Sequence, residues 1–557
     1  MRQLSSKSMA TSNPTPARSP QISTAMSIGK AALMLSAMIA LSRIAGFGRL
    51  VLTSYLYGIS PVTDAYNAAF NIPDTVSILV AGGALATGFV PVLSSLVAKG
   101  DHAAAQRTFR SMLTLLMLAF GTLTVVLFAL TYTPWGTLLA PQKVTPQVSA
   151  LYLHILRILL MAQFIFVMGG LFSGTLNALR LFWYSALQPV MYNIGIISLG
   201  IILPRTLGWG IESQAWGALA GAVVGSLCIQ VPGILRNGFS LRPLWDLQDP
   251  GVREVIRTLL PIVFGLSSGQ LIALTLPKFF AVGLFGGDIT ALDNANRLMQ
   301  VPLAVLASGP AIALLPTLSI LHSEGKKGEV RLQLTSALRR IILLMLLATA
   351  LLMALRYPIV HLLLEHGKFG PDDTAFTAKV LFCYSFGVLG LGLQQILARG
   401  FYAMRNTMPP VIIGVATMIL YCVLAYIVVN VWPLGATGLA SAAAISLTLL
   451  GIAMALTLRH SLGGWDGGKT RDIFLKGLVA AVLAFFAAQF VAAFLMHILA
   501  AFDTNHTRMV IKLAMRLLML CGGAIAGVFT FILAAIVLGV EELGPLRRLI
   551  PWKKSSS

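Results

Sequence analysis

The chain has 557 residues, of which 57% are hydrophobic and only 11% charged, with a formal net charge of +21 and a mean hydropathy of +0.84. A water-soluble chain carries about 25% charged residues, so a soluble enzyme or nucleic-acid-binding domain is excluded as the bulk of the molecule. Repeated apolar runs of about 20 residues, without barrel-type alternation, predict an all-α polytopic membrane protein, because a helix satisfies its own backbone polar groups within lipid.

Residues 1–26, rich in Ser, Thr and Pro, read as a disordered tail. The apolar run after them is too long for a cleavable signal peptide. Fourteen spans follow, at 27–57, 62–97, 106–133, 149–178, 183–204, 211–236, 253–285, 290–322, 331–363, 372–404, 409–431, 436–461, 472–500 and 508–540. Residues 237–252 form a linker between spans 6 and 7, and 541–557 form a basic tail. With the N-terminus inside, the outer side holds only Lys143, Arg205, Arg356, Lys368, Lys379, Arg508, Lys512 and Arg516, and most of the other Lys and Arg fall on the inner side. That asymmetry predicts both termini in the cytoplasm. The positive balance thus reports topology and anionic lipid, and no nucleic-acid partner is implied.

The chain contains a repeat. "VPVLSSLVAKGDHAAAQRTF" from Val90 resembles "LPTLSILHSEGKKGEVRLQL" from Leu315, pairing Pro91 with Pro316, Ser94 with Ser319 and Gly100 with Gly325 at an offset of 225. "NALR" at 177–180 and "YAMR" at 402–405 share that offset. The unit is six spans, an even number, so the two copies have the same orientation. Two pseudo-symmetric six-helix lobes are predicted, 27–236 and 253–461, with the substrate site between them. Spans 13 and 14 (472–540) are an addition.

Charges inside the spans mark the candidate site. "LSRIAGFGRL" at 41–50 puts Arg43 near mid-membrane and Arg49 in its outer half, where an arginine costs about 2.5–3.5 kcal/mol on insertion scales. Arg297 in "LDNANRLMQVP", Lys278 in "LTLPKFF" and Asp64 in "VTDAYNAAF" fall in the same outer half. A cationic cluster facing a wet cavity between lobes accounts for them together. Guanidinium pairs with phosphate or carboxylate through two parallel hydrogen bonds, so the ligand is expected to be anionic. Arg43 and Arg49 stand about 120° apart on a straight helix, and share one surface only if the cavity is wide or the helix bends at Gly46 and Gly48. Pro and Gly interrupt span 2 (Pro73, Gly82, Gly83, Gly88, Pro91) and span 8 (Pro302, Gly309, Pro310, Pro316), corresponding positions of the two repeats. Such broken helices are expected to line the site.

"GGWDGGKT" at 463–470 matches the P-loop pattern, yet follows a membrane helix where the motif requires a strand. It reads as a loop. Cys228, Cys383, Cys422 and Cys521 are scattered singly, with no disulfide framework implied. The histidines form no ligand cluster, Glu365-His366 in "LLLEHGKFG" stands isolated at a span end, and no nucleophile pairs with a base. No catalytic residue, metal site or cofactor is expected.

Taken together, "LSRIAGFGRL…TDAYNAAFNIPD…GALATGFVPVL", "ALDNANRLMQVP", "LLEHGKFG" and "RGFYAMRNTMPPV" resemble the MurJ (MviN) family of bacterial lipid II flippases, within the multidrug/oligosaccharidyl-lipid/polysaccharide exporter superfamily. The resemblance implies 14 helices, a V-shaped cavity lined by spans 1, 2, 7 and 8, and a groove with spans 13 and 14 for a polyprenyl tail. It matches Ser42, Arg43, Gly46 and Arg49 to the first-span motif, Asp64 to the second-span aspartate and Arg297 to the eighth-span arginine. The chain departs from the family at Ser77, Ile78 and Gly82, where many members carry basic residues and Ala-Glu-Gly-Ala. It departs again at Leu50, where an acidic residue often stands. Some members have an aspartate near Pro277 and Lys278, so Lys278 is expected to act as a tethered cation where relatives bind sodium.

The expected function is translocation of undecaprenyl-pyrophosphate-linked peptidoglycan precursor (lipid II) from the inner to the outer leaflet by alternating access, as a monomer among the lipids of the bacterial cytoplasmic membrane. Arg43, Arg49 and Arg297 hold the pyrophosphate in this reading, with Lys278 and Ser42 beside them, while Asp64 competes for an arginine as the outer gate closes and Gly46 lets span 1 bend. A flippase for another polyprenyl-linked oligosaccharide shares the architecture. A cation-coupled multidrug exporter shares the fold and not the sign of the cavity.

Overall fold

The computed structural model describes residues 28–75, 88–134, 136, 145–258, 269, 271–282, 284, 286–404, 406–465, 467–500 and 509–543. The expectations for the tail 1–26, for Ser77, Ile78 and Gly82, for residues 259–268 of span 7 and for 544–557 lie outside them. Among the described residues every regular element is helical. The N-terminal half holds α1 (Ile28–Tyr57), α2 (Pro61–Ala69), α3 (Val90–Ala98), α4 (His102–Leu130), α5 (Pro146–Ala178), α6 (Phe182–Leu207) and α7 (Glu212–Arg236). The C-terminal half continues with α8 (Leu271–Ala281), α9 (Asp288–Ser323), α10 (Lys327–Ala354), α11 (Arg356–Leu363), α12 (Pro371–Ser385), α13 (Val388–Ala403), α14 (Met408–Asn430) and α15 (Gly435–Ser461). Then come α16 (Gly467–Ala500) and α17 (Met509–Val537). Ten of these helices are long and apolar enough to cross a membrane, or eleven if α12 and α13, bent by 43° at their break, form one span. The other three expected spans are α1, with its arginines, and spans 2 and 7, which run through undescribed residues.

Local chemistry sets the helix starts. Pro61, Pro146 and Pro371 each open a helix, where a missing N–H costs nothing. Asp101 caps α4 by accepting the Ala104 N–H at 2.9 Å. The repeat offset recurs in the structure. The starts of α4 and α10 (His102, Lys327), the full ranges of α5 and α12–α13, and the ends of α7 and α15 (Arg236, Ser461) all correspond at 225 residues. So do the left-handed turn glycines before α4 and α10, Gly100 and Gly325, at φ +74° and +73°.

The two lobes meet differently at the two ends of the bundle. At the end where α1 finishes and α2 begins (the far side), Leu50, Ala65, Tyr66, Ile155, Leu159 and Ile211 of the first lobe share one continuous apolar core with the second. At the other end (the terminal side), Phe89, Leu93, Phe109, Leu171, Phe172 and Ile234 form, among the described residues, a separate core confined to the first lobe and the chain that follows it. That chain is the linker, fastened along α4. The Arg110 side chain donates to the carbonyls of Arg242 at 2.7 Å and Pro243 at 3.3 Å, and the Thr108 hydroxyl donates to Asp249 at 2.8 Å. Asp249 then accepts the Val252 N–H. Val252 and Val255 are buried in this core. The segment expected to open the second lobe at 253 therefore packs on the first, because its valines meet the apolar face that Phe109 and Phe239 make, their rings edge to face at 5.4 Å.

The P-loop look-alike is a tie between helices. Trp465 is buried in the main core, Lys469 pairs with Glu541 beyond α17, and Thr470 accepts from the Arg339 side chain of α10 at 3.3 Å. Its lysine and hydroxyl are engaged by protein groups. The four cysteines are free.

Candidate functional site

Asp64 carries the seal at the far side. It lies in the first turn of α2, positioned by a capping box in which Ser60 and Thr63 each accept a backbone N–H of the other. Its carboxylate is 5% exposed and crosses to the second lobe. There it accepts the Gly287 N–H at 2.6 Å, the Thr290 N–H at 2.8 Å and the Thr290 hydroxyl at 2.6 Å. These N–H groups belong to the unpaired first turn of α9, where a negative charge is favoured by the helix dipole. Charge-assisted bonds of this kind contribute about 1.5–3 kcal/mol each. Asn67, one turn on, donates to the Thr290 hydroxyl at 3.2 Å.

A second clasp joins the end of α1 to the loop after α11. The Lys368 N–H donates to the Tyr55 carbonyl at 3.0 Å, and Asp373 accepts the N–H groups of Ile59 at 3.4 Å and Gly370 at 3.1 Å. Gly367, at φ +63°, passes so close that a Cβ would lie 2.3 Å from the Tyr55 carbonyl oxygen. Glu365 anchors the same loop: its carboxylate accepts from the Thr374 hydroxyl at 2.7 Å and lies 2.7 Å from His361 Nδ1 and 3.7 Å from the Arg516 guanidinium of α17. Burial pushes the Glu365 carboxyl up, but its close polar contacts with His361 and Thr374 and the charge of Arg516 outweigh that, so it lies below its ordinary value. The isolated Glu365-His366 of the sequence is thus part of an interlobe contact.

Beneath the seal lies a cavity of about 20 Å³, lined by Arg49, Tyr66 and Phe70 from the first lobe and by Lys278, Thr290, Asn294 and Arg297 from the second. Arg49 stands over the Phe70 ring at 5.5 Å and has no ion pair among the described residues. Lys278 and Arg297 are joined through Asp293, which is 3% exposed. Lys278 Nζ lies 2.5 Å from one carboxylate oxygen, and Arg297 Nε donates to the other at 2.6 Å. The Tyr66 hydroxyl and the Asn294 amide nitrogen are buried with no hydrogen-bond partner among the described residues. Buried polar groups are normally paired, so this unmet capacity, beside two arginines, suits a ligand rich in oxygen acceptors. The volume holds about one water. In this state the site is collapsed.

The structure therefore brings together Arg49, Lys278 and Arg297, with Asp64 one layer outward on Thr290. Arg43 does not line this cavity. It is exposed, and has no hydrogen-bond or ion-pair partner among the described residues. α1 is one uninterrupted helix through Gly46 and Gly48, so the two arginines keep their separate directions. Ser42 and Gly46 face α6: the Ser42 carbonyl accepts from Asn193 at 3.4 Å, and the Asn193 amide lies 3.7 Å from a Cβ placed at Gly46. Asp64 holds backbone N–H groups here, where competition for an arginine was expected. Asp293 was missed. Its signal was its place four residues before Arg297 on one helix face, inside a span with few other charges. Among the described residues no cluster of His, Cys, Asp or Glu could hold a metal ion.

The family model for lipid II flippase MurJ matches residues 53–513. The chain belongs to the MurJ family. A Burkholderia cenocepacia protein named lipid II flippase MurJ is 29% identical over 440 residues, covering 78% of this chain and 84% of that protein. A Vibrio cholerae protein named probable lipid II flippase MurJ is 29% identical over 524 residues, covering 92% and 96%. Among solved structures, a lipid II flippase MurJ in an inward closed conformation superposes with a TM-score of 0.70 at 20% identity, over 93% of this chain and all of that one. An inward-facing MATE multidrug transporter of the MOP superfamily superposes at 0.64 and 18% identity, over 78% of this chain and 98% of that one. Both have this fold. The chain is a multi-pass membrane protein of a MurJ transporter fold.

Proposed function

We propose that this chain flips lipid II across the bacterial cytoplasmic membrane, with both termini in the cytoplasm, so that the far side is the outer side. The observation that carries the reading is the meeting of Arg49 from one lobe and Arg297 from the other at a single cavity beneath an interlobe seal. A pyrophosphate between them offers oxygens to both guanidinium groups, and to the unpartnered Tyr66 hydroxyl and Asn294 amide. The terminal side, where the first lobe has its own core, is where the lobes part to admit the headgroup. Arg43, exposed about nine Å further along α1 at 1.5 Å per residue, meets the headgroup first and passes it on to Arg49. Lys278 acts through its pairing with Asp293. Release requires Asp64 and the Gly367 loop to let go of their partners. The proposed working unit is a monomer, since Arg49 and Arg297 meet within one chain.

The same chemistry would serve another polyprenyl-pyrophosphate-linked glycan, and the family relationship favours lipid II. A multidrug exporter of organic cations is disfavoured, because Asp64 and Asp293 are both bonded and the cavity presents arginines. The test is flipping of lipid II in reconstituted vesicles. Arg49→Ala and Arg297→Ala are expected to lower the rate at least about 100-fold, since each removes a charged group from a poorly hydrated anion site. Wild-type rates in both variants would refute the assignment.

A further inference from the structure

We propose that Asp293 is an internal counter-anion that sets how tightly the anionic headgroup is held. This rests on the reading of the cavity as a pyrophosphate site. Asp293 is buried and bridges two elements, α8 through Lys278 at 2.5 Å and its own helix α9 through Arg297 Nε at 2.6 Å. It does two things to the cavity. It cancels one of three lining cations, Arg49, Lys278 and Arg297. It also takes only the Nε edge of Arg297, whose two terminal nitrogens have no hydrogen-bond partner among the described residues and whose side chain is 33% exposed. The edge left free, the two terminal nitrogens, can grip phosphate through two bonds.

A carrier must let its cargo go on the other side, so the site has to bind strongly enough to load and weakly enough to empty. Three uncompensated cations in a poorly hydrated cavity would hold a pyrophosphate too firmly. Asp293 competes with the ligand for Lys278, and retakes it when the ligand leaves. It is a positioning residue that acts through two cations. Asp74, one turn beyond Phe70, is a further carboxylate within electrostatic reach of Lys278, Arg297 and Asp293, and Asp293→Asn adds one unit of positive charge where Asp74 keeps its protonation state.

The experiment uses the full chain in nanodiscs with fluorescent undecaprenyl pyrophosphate as the probe, followed by lipid II flipping in vesicles. Asp293→Asn keeps an oxygen for Arg297 Nε and removes the charge. It is expected to bind the probe about tenfold more tightly and to lower KM and kcat together. Lys278→Met is expected to bind about tenfold more weakly. The double variant Lys278→Met/Asp293→Asn restores the charge balance and is expected to return within about threefold of wild type. A folded Asp293→Asn that binds no more tightly, or a double variant no tighter than Lys278→Met, overturns the proposal. The second comparison decides the matter even if Asp293→Asn alone does not fold. This binding pattern among the variants, with lipid II left unflipped by the wild-type chain, keeps the counter-anion and loses the substrate reading.

Discussion

The two ends of the lobe junction are held by different physics. At the far side, directional polar bonds cross between lobes: Asp64 to the first turn of α9, and Lys368 and Asp373 to the end of α1. An apolar core shared by both lobes surrounds them. At the terminal side the first lobe's core closes, among the described residues, on itself and on the linker. Directional bonds to a few backbone groups can be broken as a unit and remade, whereas a shared apolar core opens at a cost that grows with area. The far side thus has the construction of a closed seal, in which opening breaks the directional bonds and also parts a shared apolar core, and the terminal side that of two bodies able to part.

The largest way to break this contrast is Asp64→Ala. It leaves two N–H groups and a hydroxyl of α9 without their acceptor, a loss of roughly 3 kcal/mol or more at the seal. A cysteine placed by Asn294→Cys in a cysteine-free background should then react with a water-soluble thiol reagent from the far side much faster than in the Asp64 parent. Equal labelling rates would show that Asp64 does not hold the gate. Gly367→Ala comes next. The new Cβ would meet the Tyr55 carbonyl at 2.3 Å in a left-handed turn, a strain of about 1–2 kcal/mol or more, and the same labelling should rise by a smaller factor. Unchanged accessibility would place that loop outside the seal.

The smallest effect is with pH. Glu365 titrates below its ordinary value, so its contribution is present above the unfolded carboxyl range, near pH 4–5, and is lost as pH falls through its lowered folded value. Protection from hydrogen exchange in residues 364–370, taken relative to the intrinsic rate at each pH, should fall on acidification in wild type and be already low and flat in Glu365→Gln. A flat profile in wild type would deny Glu365 this role.

The sequence showed the frame well because apolar length and proline placement act locally. The spans from Pro146, Pro371 and Gly435 begin close to where hydropathy rises, and the repeat from Gly100 to Gly325 recurs as matched helix ends. Arg49, Lys278 and Arg297 were legible as a group because charges within lipid need a reason. What sequence hid was pairing. Asp64 binds backbone N–H groups, which every residue but proline has and no side-chain pattern reveals. Asp293 was concealed by its own partner, since Arg297 drew attention as a free cation when it is bonded one turn back. Arg43 was grouped with Arg49 by proximity along the chain, yet an unbroken α1 points them apart.

The most direct measurement traps the seal shut. Asn67 and Thr290 sit on opposite lobes, their side chains 3.2 Å apart. Cysteines introduced by Asn67→Cys and Thr290→Cys in a cysteine-free background can be joined by a short cleavable bis-thiol crosslinker. Transport through a gate at this contact predicts that crosslinked protein in vesicles flips no lipid II and that cleaving the linker restores flipping. Undiminished flipping by fully crosslinked protein would contradict it.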